Sequence, residues 1–368
     1  MDRRVVLHIG TMKTGTSFIQ SVLGKNQAAL AENGVEFPGG FGVQARAVRE
    51  MLKLPQQPRR NSRRWTKLAT GLRESDRSGI FSMEFLSFAG EEQVRRLVEP
   101  FAGLDVRVVL TVRDQLRAMP AQWQTYTRNF GTDDWEGYLR HVEPSRGGTG
   151  RGTRAFKTFH RAQDVPTILS RWGGAPGVSS VEVVTVPPSG APREELWNRF
   201  CAAAGIEPPE VSLEEVKDNE SLGYASCDYL RRANAHLQDV PPRRYRKAMR
   251  PLAREVLVPL RPDEGRPQLD RRAATYARSR NAEIRDLLAS DRYRLWGSPE
   301  DLPVPAELTE YPTTVSQPAA EQVRRAAEAV WEHAAAAAGA PTGSRPDDLD
   351  RLVEDAGRLL RQAHGWDG

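Results

Sequence analysis

The sequence predicts an α/β fold in which a mostly parallel β-sheet is flanked by helices. Four short apolar runs have the length and continuity of buried strands. Helical segments lie between these runs, and such strand–helix alternation is typical of parallel sheets with helices on both faces. The four predicted strands span residues 4–9, 79–82, 106–112 and 181–186.

Three segments that follow predicted strands are predicted to be helices. The clearest is 91–101, in which Val94, Leu97 and Val98 fall on one face. A helix whose apolar stripe faces a sheet completes the layered architecture that the strands predict. The other two predicted helices span 17–33 and 193–204.

The carboxyl-terminal part of the chain differs in composition from the rest. Segment 299–318 contains several prolines and is predicted to be an extended linker. Two helices are predicted after it, at 319–338 and 347–364. We therefore predict a main domain over residues 1–305 and a helical appendage over residues 306–368. The appendage is expected to pack on the main domain or on a partner chain, which leaves a homo-oligomer as one alternative.

Composition narrows the classes of partner. Hydrophobic residues make up 39% of the chain, so a sizeable core is expected. The net charge of +5 suits an anionic ligand, but no nucleic-acid-binding motif accompanies it, so nucleic acid is not an expected partner. No apolar stretch is long enough to predict a membrane span. The two cysteines, Cys201 and Cys227, are too few for a disulfide framework, which favours a cytoplasmic setting.

Segment 10–17, with the sequence GTMKTGTS, has the layout of a phosphate-binding loop between a strand and a helix. Glycines allow the backbone to pass close to a ligand, and the N–H groups at a helix amino terminus attract anions. The alternative is a glycine turn that binds no ligand. The predicted phosphate ligands are Lys13, Thr14, Gly15, Thr16 and Ser17.

The position of the lysine distinguishes this loop from that of nucleoside triphosphatases. Their pattern places a lysine directly after the second glycine, where this chain has Thr16, and the lysine lies inside the loop as Lys13. At that point Lys13 could stabilise negative charge on a departing phosphate. The third predicted strand ends in Arg113-Asp114 rather than in a clear magnesium ligand, so no metal site is predicted.

The segment Lys13-Thr14-Gly15-Thr16-Ser17 resembles the 5′-phosphosulfate-binding loop of sulfotransferases that use 3′-phosphoadenosine 5′-phosphosulfate (PAPS). The chain looks like a divergent bacterial branch of that family. The resemblance implies a fold similar to that of P-loop kinases and PAPS as the cofactor. It also implies that Lys13 contacts the 5′-phosphate and the sulfonate that is transferred.

A second family element follows the third predicted strand. In the family, an arginine after this strand and a serine eight residues later bind the 3′-phosphate. The resemblance implies this role for Arg113, whereas the serine position is occupied by Ala121. Gln122 and Arg117 are candidates to compensate for the missing serine. The other interpretation of Arg113 is a surface ion pair with Asp114.

The family's catalytic base, a histidine or a glutamate, follows the second strand. Glu84 occupies the matching place, so the resemblance implies that Glu84 removes the proton from an acceptor hydroxyl. The alternative is a glutamate that stabilises the amino terminus of the next helix. His8, His141 and His160 are rival candidates for the base.

The leading hypothesis is a cytoplasmic sulfotransferase with residues 1–305 as its catalytic domain. It would transfer a sulfonate group from PAPS to a hydroxyl of a small molecule or carbohydrate, in line and without a metal, using Lys13 and Glu84. The alternatives are a P-loop small-molecule kinase that uses ATP and magnesium, and a non-catalytic nucleotide-binding relative.

The acceptor site is left open by the sequence. The aromatic residues between Trp123 and Trp172 either stack against the acceptor or belong to the core. The basic segment 243–250 is expected to be a solvated helix, with Lys247 or Arg250 as an alternative ligand of the 3′-phosphate.

Overall fold

The computed structural model describes residues 3–54, 63–144, 150–207, 211, 213, 221–341 and 345–366. Within these ranges six strands form one sheet, and every neighbouring pair is parallel. The strands are β1 Arg4–Gly10, β2 Val35–Glu36, β3 Ser78–Ser82, β4 Asp105–Val112, β5 Ser180–Thr185 and β6 Arg294–Trp296. Their order across the sheet is β2-β3-β1-β4-β5-β6.

Helices and loops connect the strands. The α-helices are α1 Thr16–Lys25, α2 Gln27–Glu32, α3 Gly40–Met51, α4 Arg64–Glu74, α5 Glu91–Val98, α6 Gln115–Thr127, α7 Trp135–Val142, α8 Arg154–Gln163, α9 Val165–Gly173, α10 Arg193–Ala204, α11 Tyr224–Ala235, α12 Pro242–Leu252, α13 Arg271–Leu288, α14 Ala320–Ala338 and α15 Leu349–His364. The 3₁₀ segments are Glu84–Phe88, Glu99–Phe101, Gly150–Gly152, Val258–Asp263 and Pro299–Asp301, and Ala253–Leu257 is π-helical.

The strand order changes direction at β1. After β1, the next two strands, β2 and β3, lie on one side of it, with β3 adjacent to β1. The chain then crosses to the other side, where β4, β5 and β6 follow in order. Open α/β sheets bind ligands outside the carboxyl ends of their strands at such a switch point. The loops that follow β1, β3 and β4 are therefore the expected place for a site.

The sheet is buried on both faces, which explains why its strands are continuous apolar runs. Successive side chains of β1 point to opposite faces, so Leu7 and Ile9 enter one hydrophobic layer while Val6 enters the other. The first layer includes residues of α4, α5 and α9, and the second includes residues of α1 and α10. This packing fixes the end of β1 and the start of α1.

The structure confirms the predicted fold class and places all four predicted strands within one residue of their expected ends. Strands β2 and β6 were missed because two and three residues are too few to show a pattern. A single helix over 17–33 was wrong. The chain breaks at Asn26, whose side chain donates to the carbonyl of Val22 at 2.9 Å in competition with the helical backbone.

The helix predicted over 91–101 is shorter than expected. Helix α5 ends at Val98, and a 3₁₀ turn that contains Pro100 follows it. Proline has no N–H to donate, so the regular helix does not continue through this position. The segment predicted as a linker, 299–318, has a 3₁₀ turn at its start and no α-helix or strand.

The chain divides into two compact units. Unit 1 comprises Met1–Ala118, Phe159–Asn219 and Ala277–Ala306, and it contains the whole sheet. Unit 2 comprises Met119–Thr158, Glu220–Tyr276 and Glu307–Gly368. The two predicted carboxyl-terminal helices are α14 and α15, which pack on each other and on α11 within unit 2. The division into a catalytic domain over 1–305 and an appendage stays a prediction.

No helix in the described ranges is both long enough and apolar enough to cross a membrane.

Candidate active site

The loop between β1 and α1 has an unusual backbone, and it lies within unit 1. Gly10, Lys13 and Gly15 have φ values of 86°, 66° and 83°, which are left-handed conformations. Lys13 adopts this conformation despite its side chain, at a cost of about 1–2 kcal/mol. Left-handed residues turn successive N–H groups toward a common concave side, and the amino terminus of α1 begins directly after them. This backbone geometry is typical of loops that bind anions.

Threonine hydroxyl groups fasten this loop to the sheet. The Oγ1 of Thr14 donates to the carbonyl of Thr11 at 2.6 Å and lies 2.6 Å from the Oγ1 of Thr111 on β4. Thr16 also donates to the carbonyl of Thr11, at 3.3 Å, and the N–H of Thr11 donates to the carbonyl of Thr111 at 2.7 Å. Because the Thr14 hydroxyl forms both of these hydrogen bonds within the protein, a ligand at the loop would meet the backbone N–H groups first.

Gly10 brings the end of β3 into contact with the loop. A Cβ atom at Gly10 would lie 2.9 Å from the Cβ of Glu84 and 3.0 Å from its Cα. Only glycine permits this approach, which places Glu84 beside the first residue of the loop. The buried Gln20 of α1 donates to the Oε2 of Glu84 at 3.2 Å and to the carbonyl of Ser82 at 2.9 Å. Helix α1, which follows the loop, therefore orients the carboxylate of Glu84 through Gln20.

Arg113 reaches the loop from the other side. Its Nη1 donates to the carbonyl of Lys13 at 3.2 Å. The side-chain amide of Gln115 donates to the carbonyl of Arg113 at 3.1 Å and to the Oε1 of Gln163 at 3.3 Å. The Nε2 of Gln163 donates to the carbonyl of Met12 at 2.7 Å. These bonds connect the end of β4 to the tip of the loop. Lys13, Glu84 and Arg113 are each half-buried.

Asp114, which the sequence offered as an ion-pair partner of Arg113, accepts hydrogen bonds from other groups. It accepts hydrogen bonds from the N–H of Leu116 at 2.9 Å and from the Nδ2 of Asn281 at 2.7 Å. Burial raises the pKa of Asp114, although these donors act in the opposite direction. Of the two candidates to replace the missing serine, Arg117 donates to the carbonyl of Pro187 at 3.3 Å within unit 1. Gln122 and Ala121 belong to unit 2.

His8 lies inside the sheet directly below the loop. Its Nδ1 is 2.7 Å from the Oγ of Ser82, and its Nε2 is 3.3 Å from the Oγ1 of Thr111. Its ring also packs at a tilt on Phe200, with centroids 5.1 Å apart. Burial lowers the pKa of His8 to about 3, so the imidazole is neutral near pH 7. Together with Thr14, these groups form one polar chain across the ends of β3, β1 and β4.

The other candidates for the base, His141 and His160, and the aromatic residues considered for the acceptor have different surroundings. The Nδ1 of His141 is 2.9 Å from the Oδ2 of Asp133 in unit 2, a partner that the sequence did not predict. His160 packs edge-on against Phe159, with centroids 5.3 Å apart. Most of the aromatic residues considered for the acceptor are core residues. Those that are buried include Tyr126, Phe130, Trp135, Tyr138 and Phe159.

Sequence reasoning missed two glutamines that hold this edge of the sheet together. Gln20 had a usable signal, because it interrupts an otherwise apolar helix face between Ile19 and Val22. Gln163 had none, because it lies 151 residues from Met12 in the chain. Only the fold brings them together.

Comparison with known proteins gives limited similarity. No protein-family model matches the chain. No curated protein matches it. Among solved structures, the chain is similar to a sulfotransferase from Alicyclobacillus acidocaldarius, at 14% sequence identity and a TM-score of 0.40, over 68% of this chain and 96% of that one. The α/β fold class itself rests on the six-stranded parallel sheet.

Proposed function

We propose that unit 1 is a sulfotransferase domain that uses PAPS. The observation that carries this proposal is the grouping of Lys13, Glu84 and Arg113 at the carboxyl ends of three adjacent strands. Gly10 abuts Glu84 on one side of the loop, and Arg113 donates to the carbonyl of Lys13 on the other. The acceptor is proposed to be a hydroxyl of a small molecule or carbohydrate.

The groups present suit a nucleotide with phosphates at two separate positions. The left-handed loop, the amino terminus of α1 and Lys13 would bind the 5′-phosphate and the sulfonate. The guanidinium of Arg113 would bind the 3′-phosphate, because its planar fork matches phosphate oxygens. Thr14, Gly15, Thr16 and Ser17 would contribute mainly through their backbone N–H groups. No step of this scheme requires a metal ion.

Each residue has a role that follows from its chemistry. PAPS, when bound, supplies an activated sulfonate and leaves as adenosine 3′,5′-bisphosphate. Glu84 accepts the proton of the acceptor hydroxyl as the oxygen attacks sulfur in line. Gln20 orients the carboxylate of Glu84 through its 3.2 Å hydrogen bond. Lys13 offsets the negative charge that develops on the departing 5′-phosphate.

Calorimetry with adenosine 3′,5′-bisphosphate tests the donor site, with ATP plus magnesium as the parallel ligand. We expect the bisphosphate to bind far more tightly than ATP. The Lys13→Ala and Arg113→Ala variants should each weaken its binding about 10- to 100-fold, since each removes a charge-assisted hydrogen bond. Lys25→Ala is the matched control, because Lys25 is exposed at the far end of α1.

Two results would contradict the proposal in different ways. Tight binding of ATP and magnesium without binding of the bisphosphate would favour the kinase alternative. Binding of the bisphosphate without sulfonate transfer from PAPS to any hydroxyl in an acceptor panel would favour a non-catalytic nucleotide-binding relative.

A further inference from the structure

The basic segment 243–250 has no role in the proposed reaction, and it forms most of α12 in unit 2. Helix α12 directs Tyr245, Ala248 and Met249 into the interior of the unit and leaves basic residues on its other face. One side of this helix borders a cleft. The arginines that line the cleft are Arg128, which follows the end of α6, Arg246 and Arg250.

The floor of the cleft is apolar and well packed. Leu230, Met249 and Ala253 line it and are only 1%, 4% and 2% exposed. Tyr245 also borders the cleft and stacks on Phe130, with ring centroids 3.7 Å apart. Burial raises the pKa of Tyr245, so its hydroxyl is neutral near pH 7.

The acidic residues nearest in sequence are paired with other arginines. Asp228 pairs with two arginines of α11 at 2.6 and 2.8 Å, and Glu255 pairs with Arg254 at 2.7 Å. Throughout the described ranges, no carboxylate forms an ion pair with Arg128 or Arg250. The positive charge of the cleft is therefore not neutralised by these acids.

This arrangement is unfavourable when the cleft is empty. Burial lowers the pKa of the half-buried Arg128, and repulsion from Arg250 also lowers it, although Cys227 and Tyr245 act in the opposite direction. The carboxyl end of α6 contributes only about half a negative charge, and α12 continues directly into the π-helical segment Ala253–Leu257. Two full positive charges exceed this contribution, so an anion entering the cleft would relieve both the desolvation and the repulsion.

We propose that this cleft of unit 2 binds a tetrahedral oxyanion, namely the phosphate or sulfate group of a small molecule. Arg128 and Arg250 reach the cleft from two different helices, and a phosphate or sulfate group has enough acceptor oxygens to satisfy both guanidinium forks. This proposal does not depend on the reaction proposed for unit 1.

Calorimetric titration of the full chain with inorganic phosphate tests the cleft. The titration uses the Lys13→Ala variant, so that the loop after β1 contributes little. We expect saturable binding, which Arg128→Gln and Arg250→Gln should each weaken about 10- to 100-fold. Arg243→Gln is the matched control, because Arg243 is exposed on the same helix and does not line the cleft.

Inorganic sulfate and glucose 6-phosphate distinguish a free ion from an ester. Tighter binding of the ester than of inorganic phosphate would support a small-molecule phosphate as the occupant, whereas equal or weaker binding of the ester would overturn that part of the proposal. If Arg128→Gln does not fold, the exposed Arg250 carries the test alone. Absence of saturable phosphate binding, or binding that neither variant changes, would overturn the cleft proposal. So would an equal loss of adenosine 3′,5′-bisphosphate binding when Arg250→Gln is introduced into the natural chain.

Discussion

The loop after β1 in unit 1 and the arginine cleft in unit 2 differ in how each would bind the oxyanion that we propose for it. In the loop, left-handed residues and a helix amino terminus present backbone N–H groups, and internal hydrogen bonds fix the geometry. In the cleft, side-chain charges converge over an apolar floor, and nearby acids are paired with other arginines. The loop is built into the sheet, whereas the cleft depends on long side chains.

This difference has consequences for what each site can do. Fixed dipoles that need no reorganisation are suited to stabilising charge that appears during a reaction. Flexible arginine side chains lose conformational entropy when they bind, so they are better suited to recognition than to catalysis. The comparison therefore predicts that chemistry is confined to the loop. It also predicts that substitutions which disturb the backbone matter most in unit 1.

The Glu84→Gln variant should give the largest effect. The amide is nearly isosteric with the carboxylate but cannot accept the proton of the acceptor hydroxyl. We expect turnover with PAPS to fall by about 10²- to 10⁴-fold, while affinity for adenosine 3′,5′-bisphosphate stays the same. Steady-state kinetics and calorimetry measure the two quantities. Retained turnover in this variant would show that another group is the base.

Two further variants sharpen the test of Glu84. Glu92→Gln is the control, because Glu92 is exposed and pairs with neighbouring arginines of α5. Gln20→Met removes the donor that orients Glu84, and turnover should fall less than in Glu84→Gln. If Gln20 acts through Glu84, the double variant should be no slower than Glu84→Gln alone. Additive losses would assign Gln20 a separate role.

Gly10→Ala should distort the backbone of the loop without changing its charge. The φ of 86° is strained for alanine, and the new Cβ would lie 2.9 Å from that of Glu84. We expect the free energy of unfolding to fall by about 2–4 kcal/mol, measured by urea denaturation. Gly34→Ala is the control, because Gly34 has a φ of 68° but no atom near its Cβ position. It should cost only about 1–2 kcal/mol, and equal losses would contradict the importance of the Glu84 contact.

The sequence predicts those parts of the molecule whose signals are local. Strands β1, β3, β4 and β5 are continuous apolar runs because both faces of the sheet are covered. The positions of Lys13 and Arg113 at this edge of the sheet could be predicted, because Lys13 lies three residues after β1 and Arg113 directly follows β4. The break at Asn26 was missed, because a single side-chain bond to Val22 decides it. Propensity and periodicity contain no information about that bond.

The long-range features could not be predicted from one sequence. The contact between Gly10 and Glu84 depends on strand order, which places β3 beside β1. The cleft unites residues that lie more than 100 positions apart, such as Arg128 and Arg250. Unit 2 itself is assembled from three separated segments of the chain. Neither composition nor spacing marks such assemblies.

The His8→Asn variant tests the buried polar chain below the loop through its pH dependence. The folded pKa of about 3 lies below the ordinary value of 6.5, so protons bind the unfolded chain more readily between these values. The contribution of neutral His8 is therefore complete above about pH 6.5 and is lost as the pH falls, by about 1.4 kcal/mol per unit. Urea unfolding from about pH 7 to about pH 4 should show a slope shallower by this amount in His8→Asn. Ser82→Ala, which removes only a hydrogen-bond partner, should lower stability at every pH and keep the steeper slope. An unchanged slope in His8→Asn would mean that His8 is protonated in the folded protein.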